Sequence, residues 1–514
     1  MLTEFLLSVR TWTAVAILAS VYYLLFRPRQ PPAFPIVNQY PNDFFRRKAY
    51  REVRENAKQL IIDGLAKHGG PITILIPHGQ KIILPSSLTT WVKSNKDLDH
   101  KQLVREDFFS GIPGFEALSL LHDPDSMLIN LITTKMGPSN NPTLIKAMHT
   151  SLSHGLPTLW NNNNSADDDN NTSTSPSSSW HVLPNWQTAT LGVIARAASS
   201  VFAGPEKAAD AEWLALVQGY VGAYFAGVAD LHRYPRWMRP VAHWFLPNAA
   251  ACRRYVARAR AVMDAVLRER AAVREGRGGG EYEDALEWAQ EASGGRVPAG
   301  DVQLSLAMAA LFTTTELFRA LVVEIARRPE LVGELRSEVE EQIGEHGISA
   351  AALSGMVLMD SFMKETQRLN SGPVVLERVA LKDTTLPDGK VIPHGAHIMV
   401  DSTDLWNPAV YPNPDQFDAR RFLRKRQEGD KASQFVQSSP TYNVFGGGRH
   451  ICPGRFLASN ELKLALAHIL LKYDVRLAEG CEPKNFQHGF YVIGDPSVRL
   501  EVRRRDAPSG SLLL

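Results

Sequence analysis

Apolar residues recur at intervals of three and four along most of the chain, and strict alternation is confined to a few short runs. The first spacing keeps one face of an α-helix apolar; the second keeps one face of a strand apolar. Helices are predicted over Phe44–Ala66, Trp186–Val201, Ala208–Ala229, Ala249–Arg274, Asp301–Arg327, Pro329–Gly344, Met356–Asn370 and Arg455–Tyr473. Short strands are predicted over Pro71–Ile76 and Lys81–Pro85, joined as a hairpin around Pro77–Gln80, and over Val379–Lys390 and His397–Asp401. The chain therefore reads as mainly α with small β-sheets. Asp301 stands where a helix N-cap is expected.

Three stretches break the pattern. An apolar run from Trp12 to Phe26 is followed at once by Arg27, Arg29 and a proline cluster. No small-residue cleavage site closes it, which disfavours a signal peptide. The run reads as a membrane anchor, residues 1–38 being anchor and hinge and residues 39–514 one catalytic domain. Arg46, Arg47, Lys48 and Arg51 place the downstream side in the cytosol by the positive-inside rule. Residues 161–179 are almost all Asn, Asp, Ser and Thr, cannot bury a core, and read as a disordered insertion. Residues 107–118 form an apolar, turn-rich loop expected to line a pocket or pack on the core. A loop rich in aromatics and prolines, Tyr234-Pro-Arg-Trp-Met-Arg-Pro240, precedes a basic helix that could touch a membrane or simply face solvent.

Composition narrows the function. Among 514 residues, 56 Lys and Arg balance 54 Asp and Glu, so nothing points to nucleic acid. Three scattered cysteines (Cys252, Cys452, Cys481) argue against a disulfide framework and fit a reducing compartment. Gly278–Gly280 has no Lys-Ser/Thr after it and is no phosphate cradle.

The chemistry concentrates at Phe445-Gly-Gly-Gly-Arg-His-Ile-Cys-Pro-Gly454. A thiolate is a strong soft ligand for iron. Glycines let backbone approach a flat ligand, and the helix opening at Arg455 favours a negative sulfur at its N-terminus. Upstream, Glu365 and Arg368 share a helix face, and Pro414-Asp-Gln-Phe-Asp-Ala-Arg-Arg-Phe422 lies between them and the cysteine. This order resembles the cytochrome P450 family, in its fungal secondary-metabolite form, over nearly the whole chain from residue 39.

The resemblance implies the cytochrome P450 fold around a b-type haem with Cys452 as iron ligand. It implies a buried charge network of Glu365, Arg368 and Arg421. Arg378, in Pro373-Val-Val-Leu-Glu-Arg-Val379, would hold a haem propionate. His450 would do the same, with Arg449 as fallback, and Phe445 would close the loop against the haem. Residues 373–377 and 488–494 are expected to line the substrate pocket. The implied activity is a monooxygenase acting on a lipophilic small molecule. Its electrons would come from NADPH through a separate cytochrome P450 reductase, and its site would be the endoplasmic reticulum membrane. One departure stands out. In Ala309-Ala-Leu-Phe-Thr-Thr-Thr-Glu316 the family's proton-delivering acid is replaced by Phe312, leaving the hydroxyls of Thr313 and Thr314 as catalytic candidates. Phe312 keeps open a ring-rearranging or isomerising enzyme, and a non-catalytic haem- or sterol-binding membrane protein is the third reading.

Overall fold

The computed structural model describes residues 33–122, 126–137, 142–160, 179–277 and 282–505, and within the N-terminal run Trp12, Thr13, Val15, Ala16 and Ser20. The expected insertion at 161–179 and most of the expected anchor lie outside the described residues. Those five N-terminal positions are helical and exposed.

α1 (Arg47–His68) buries Val53, Ala57, Ile61 and Gly64 at helical spacing. A Cβ on Gly64 would lie 2.8 Å from the Cδ1 of Ile72, so a larger residue there would push that side chain aside. The hairpin follows as β1 (Ile72–Ile76) and β2 (Gly79–Leu84). After α2 (Thr89–Ser94) come β3 (Leu98–Asp99) and α3 (His100–Asp107), whose N-cap is Asp99. The apolar segment 107–118 is buried through Phe109 and Phe115, so it packs on the core. Its backbone is satisfied by α8 (Ala211–His232), because Tyr220 and Tyr224 donate to the carbonyls of Gly114 and Phe108. Before α8 come α4 (Met127–Lys135), α5 (Pro142–Trp160), β4 (His181–Val182), α6 (Trp186–Phe202) and α7 (Pro205–Ala209).

Next are α9 (Arg239–Ala242), α10 (Pro247–Arg277) and α11 (Ala285–Ser293). The basic face of α10 is open, with Arg254, Arg258 and Arg268 exposed. The central helix is α12 (Ala299–Arg327), which packs on α6, α8, α10 and α11. Every residue from Ala299 to Met308 is buried. Gly300 permits the close crossing of α10, since a Cβ there would sit 2.4 Å from the Arg260 nitrogen. Asp301 is inside the helix, and the N-cap is Pro298. Its carboxylate instead clamps Arg260 through bonds of 2.7 and 2.8 Å.

α13 (Pro329–His346), α14 (Ala350–Gly355) and α15 (Val357–Leu369) lead into β5 (Val374–Ala380). The alternating run expected over 379–390 is therefore only the end of a strand that starts earlier. β6 (Thr384–Thr385) and β7 (Val391–Ile392) form a small separate pair around Pro387–Gly389. β8 (His397–Asp401) matches its predicted bounds. The main sheet runs β1-β2-β8-β5-β3, with β2 and β8 parallel and the other pairs antiparallel. Side-chain alternation puts Ile72, Ile74, Ile83 and Met399 against α1, and Ile82, Leu84, Ile398 and Val400 with Phe34 and Leu98 on the other side. α16 (Arg421–Gln427) precedes the cysteine loop, and α17 (Arg455–Lys472) follows it. β9 (Tyr473–Leu477), the hairpin of β10 (Phe486–His488) and β11 (Tyr491–Ile493), and β12 (Leu500–Arg504) complete the fold. α8 and α12 are long and apolar enough to cross a membrane, but half of each is buried inside the fold.

Candidate active site

The cysteine loop is held by its own backbone. The Cys452 N–H donates to the Phe445 carbonyl at 2.8 Å, and the Phe445 ring meets Phe435 edge-on, centroids 5.3 Å apart. Gly446 and Gly448 are left-handed, with φ of 74° and 62°. A Cβ on Gly448 would also lie 2.4 Å from the Lys93 carbonyl oxygen, so side chains are excluded twice over there. Burial pushes the free Cys452 thiol up; the N–H groups of Gly454 and Arg455, at the start of α17, pull the other way. Those donors are placed for a negative sulfur, which a bound metal completes.

α12 changes character halfway along. After ten buried residues it opens a stripe: Ala309, Phe312 and Thr313 are exposed and Glu316 is part-exposed, at helical spacing within the protein interior. Phe312 is 49% exposed, a value expected for a cavity wall and foreign to the core of a buried helix. Its ring meets Phe225 of α8, centroids 5.1 Å apart. The Thr313 hydroxyl donates to the Ala309 carbonyl one turn back, at 3.0 Å.

At another wall, Arg378 is almost fully buried. Its Nη1 donates to the Glu377 carbonyl at 2.6 Å, while its buried Nε has no partner among the described residues. Burial lowers this guanidinium to about 10. His100 lies beside it, 3.2 Å from the same carbonyl, with its ring centroid 6.1 Å from that of His450. Behind the loop, Glu365 takes Arg368 by two bonds (2.8 and 2.9 Å) and Arg421 by one (3.0 Å). All three side chains are buried, and spare guanidinium N–H groups reach the carbonyls of Leu405, Pro412 and Pro414.

Comparison with known proteins agrees with this geometry. The Cytochrome P450 family profile matches residues 302–502. The cytochrome P450 monooxygenase adrA of Penicillium rubens is 32% identical, over 95% of this chain and 95% of that one. The chain belongs to the cytochrome P450 family. The cytochrome P450 monooxygenase hepE of Aspergillus oryzae is 34% identical over 94% of this chain and 88% of its own. The fusicocca-1,10(14)-diene-8beta,16-diol C-9 hydroxylase of Phomopsis amygdali is 32% identical over 90% and 89%. The solved cytochrome P450DA heme domain superposes with a TM-score of 0.65 at 16% identity, covering 92% of this chain and 98% of that one. This P450 is a monooxygenase of the fungal secondary-metabolite type, and its family works with haem and a redox partner.

The residues present fit a haem. The buried Arg378 lacks an acceptor on Nε where a propionate would supply one, and the part-accessible Cys452 sits in a loop stripped of side chains. His450 enters this edge neutral: burial, then Arg378 and Arg449, hold it down at about 4. Its Nε2 accepts from the Arg449 Nε at 2.9 Å, leaving Nδ1 to donate. Arg449 also donates to the Lys96 and Leu98 carbonyls, so its role is to brace His450 and β3.

The two candidate threonines part company. Thr313 is on the open stripe; Thr314, one residue on and 100° round the helix, is buried and turned away. Thr314 is thus the less accessible of the two candidates. Glu316 shares the stripe but pairs with Arg319 at 2.5 Å, which in turn bonds Thr190 of α6. Sequence reading missed His100 and Phe225. Neither lies in a local motif, and each joins the site across more than 80 residues of chain.

Proposed function

We propose that this P450 hydroxylates a lipophilic small molecule. The observation that carries this is the open stripe of α12, apolar at Ala309 and Phe312 and roofed by Phe225. Haem bound at Cys452 supplies the activation of O2 and the transfer of one oxygen atom. The chain's own residues do the rest. Cys452 Sγ would hold the iron, Arg378 and His450 would hold the propionates, and Ala309 would leave room for the flat cofactor. Phe312 and Phe225 exclude water and pack against the substrate.

Proton traffic runs through Thr313. Its hydroxyl is fixed by the bond to Ala309, which leaves its lone pairs free to accept from water. Phe312 has no proton to give, and Glu316 is held by Arg319. The same feature favours the ring-rearranging reading, in which less proton delivery is needed. Co-expression with an NADPH–P450 reductase and candidate pathway intermediates under 18O2 is expected to give a product 2 mass units heavier than under 16O2. A labelled alcohol supports hydroxylation; an unlabelled product of altered skeleton replaces it with rearrangement. Phe312→Asp is expected to change the product formed per NADPH consumed, since a positioned acid contributes about 100- to 10,000-fold to a proton-transfer step. An unchanged ratio and product pattern would remove Phe312 from the mechanism.

The placement proposed is the cytosolic face of the endoplasmic reticulum, on one N-terminal span. Supporting it, Phe44, Phe45, Trp237, Trp244 and Phe245 are exposed, beside exposed Arg46, Arg47, Lys48 and Arg236. Asn38 ties the start of α1 to Leu75 of β1, and His78 in the hairpin turn stacks on His232 at 4.1 Å. A chain lacking residues 1–38 is expected to bind vesicles containing phosphatidylserine more weakly than the full chain, and Trp237→Ser/Phe245→Ser to weaken that residue further, read by co-sedimentation.

A further inference from the structure

Lys364 of α15 is 1% exposed and makes no ion pair among the described residues. Its ammonium donates instead to three backbone carbonyls, those of Ala432, Gln434 and Gln437, at 2.9, 2.7 and 2.8 Å. An ammonium carries three N–H donors, so all of them are used. The rings of Phe422 and Tyr442 lie 5.3 and 4.1 Å from it. Asp360 stands one turn earlier on the same face of α15. One of its oxygens accepts from the Phe435 N–H at 2.8 Å, and the other takes Lys463 of α17 at 2.8 Å. The backbone of residues 432–437 is thus gripped from α15 by four bonds, three on carbonyls and one on an N–H.

The gripped segment leads into the cysteine loop and touches it at two points. The fully buried Phe435 meets the Phe445 ring edge-on, and the Ser438 hydroxyl donates to the Gly446 carbonyl at 3.0 Å. Phe445 is the residue whose carbonyl takes the Cys452 N–H. The outward side of the segment is free to yield, because Lys431, Ala432, Gln434 and Gln437 line an open hollow of about 490 Å³. A buried ammonium without a bonded anion costs stability, and burial pulls Lys364 down to about 7. An apolar side chain would fill the same volume at lower cost. What it could not do is hold three carbonyls in place.

We propose that Lys364, with Asp360 beside it, is a positioning residue for the thiolate: by fixing residues 432–437 it sets Phe435 and Ser438 against the loop and keeps the Cys452 sulfur aimed as an iron ligand. The inference rests on Cys452 as that ligand and is independent of the substrate. Successive residues of α15 then do different things. Glu365 anchors Arg368 and Arg421, and Lys364 aims the loop.

The test is the carbon monoxide spectrum of reduced, purified holoprotein, read as the ratio of the unshifted, thiolate-free band to the strongly red-shifted one. Far-ultraviolet circular dichroism and melting are recorded on the same samples. Lys364→Met fills the volume without donors. It is expected to keep the wild-type dichroism spectrum and to raise the ratio at least about tenfold, the scale of one lost hydrogen bond to a charged group. Lys364→Arg, which keeps N–H donors in a planar array, is expected to recover part of that change. Phe435→Leu/Ser438→Ala loosens both contacts with the loop and is expected to raise the ratio by itself. Lys364→Met should then add less than about threefold to it, because residues on one route are not additive. Arg270→Met, which breaks the buried Arg270–Asp284 pair at the start of α11, should lower melting and leave the ratio alone. An unchanged ratio in folded Lys364→Met overturns the proposal. So does an equal rise in Arg270→Met, or a Lys364→Met effect undiminished in the Phe435→Leu/Ser438→Ala background. If Lys364→Met does not fold, an unchanged ratio in Phe435→Leu/Ser438→Ala overturns it equally. Wild type is recorded first: without a red-shifted band, Cys452 is not the ligand and the inference falls with it.

Discussion

Cys452→Ser is expected to abolish the strongly red-shifted carbon monoxide band and all NADPH-dependent turnover, while the far-ultraviolet circular dichroism spectrum stays that of the wild type. The two outcomes separate because the loop does not depend on the sulfur for its shape. The Cys452 N–H to Phe445 carbonyl bond, the left-handed Gly446 and Gly448, and the Phe435–Phe445 contact all survive the substitution. Serine keeps the backbone and the volume but offers a hard, neutral oxygen that does not replace a thiolate on iron. A retained red-shifted band would show that another residue holds the metal. A collapsed dichroism spectrum would show that the sulfur also holds the fold.

Glu365→Ala is expected to be the most destabilising single change outside the apolar core. The carboxylate accepts from Arg368 twice, from Arg421 once, and from the Asp418 N–H at 3.2 Å. Removing it leaves two buried guanidiniums facing each other without an anion, at a cost of about 3–5 kcal/mol. That is a large part of a typical total of about 5–15 kcal/mol. The expected result is little or no folded holoprotein, read as haem per milligram and as a lost or strongly lowered melting transition. The exposed Arg424–Asp418 pair is the control; Arg424→Ala should change stability by no more than about 1 kcal/mol. A Glu365→Ala protein with wild-type melting and haem content would mean that the arginines are satisfied by the carbonyls of Leu405, Pro412 and Pro414 alone.

What the sequence makes legible follows from the range of each interaction. Helix periodicity and the Glu365–Arg368 spacing are local, so α1, α6, α8, α10, α12, α15 and α17 and the core of the charge network are readable from residue order. The cysteine loop is readable for the same reason. Asp301 was misread because an acid near a helix start suits both a cap and an ion pair, and only the crossing of α10 brings Arg260 to it. The segment 107–118 read equally as a pocket wall or as core packing, because nothing local announces the two tyrosines that bury it. Thr313 and Thr314 cannot be ranked without knowing which side of α12 faces the cavity, and a single residue step reverses the answer.

The Phe225–Phe312 contact gives the cavity a gauge. α8 supplies one ring and α12 the other, so the two long helices touch through side chains that a substrate can push aside. An occupant large enough to displace Phe225 loads Phe312, and Phe312 is covalently adjacent to Thr313. Phe312 is thereby both a wall of the open stripe and the covalent neighbour of Thr313, so a substitution that alters the Phe225–Phe312 contact is expected to shift the sizes of guest the stripe admits.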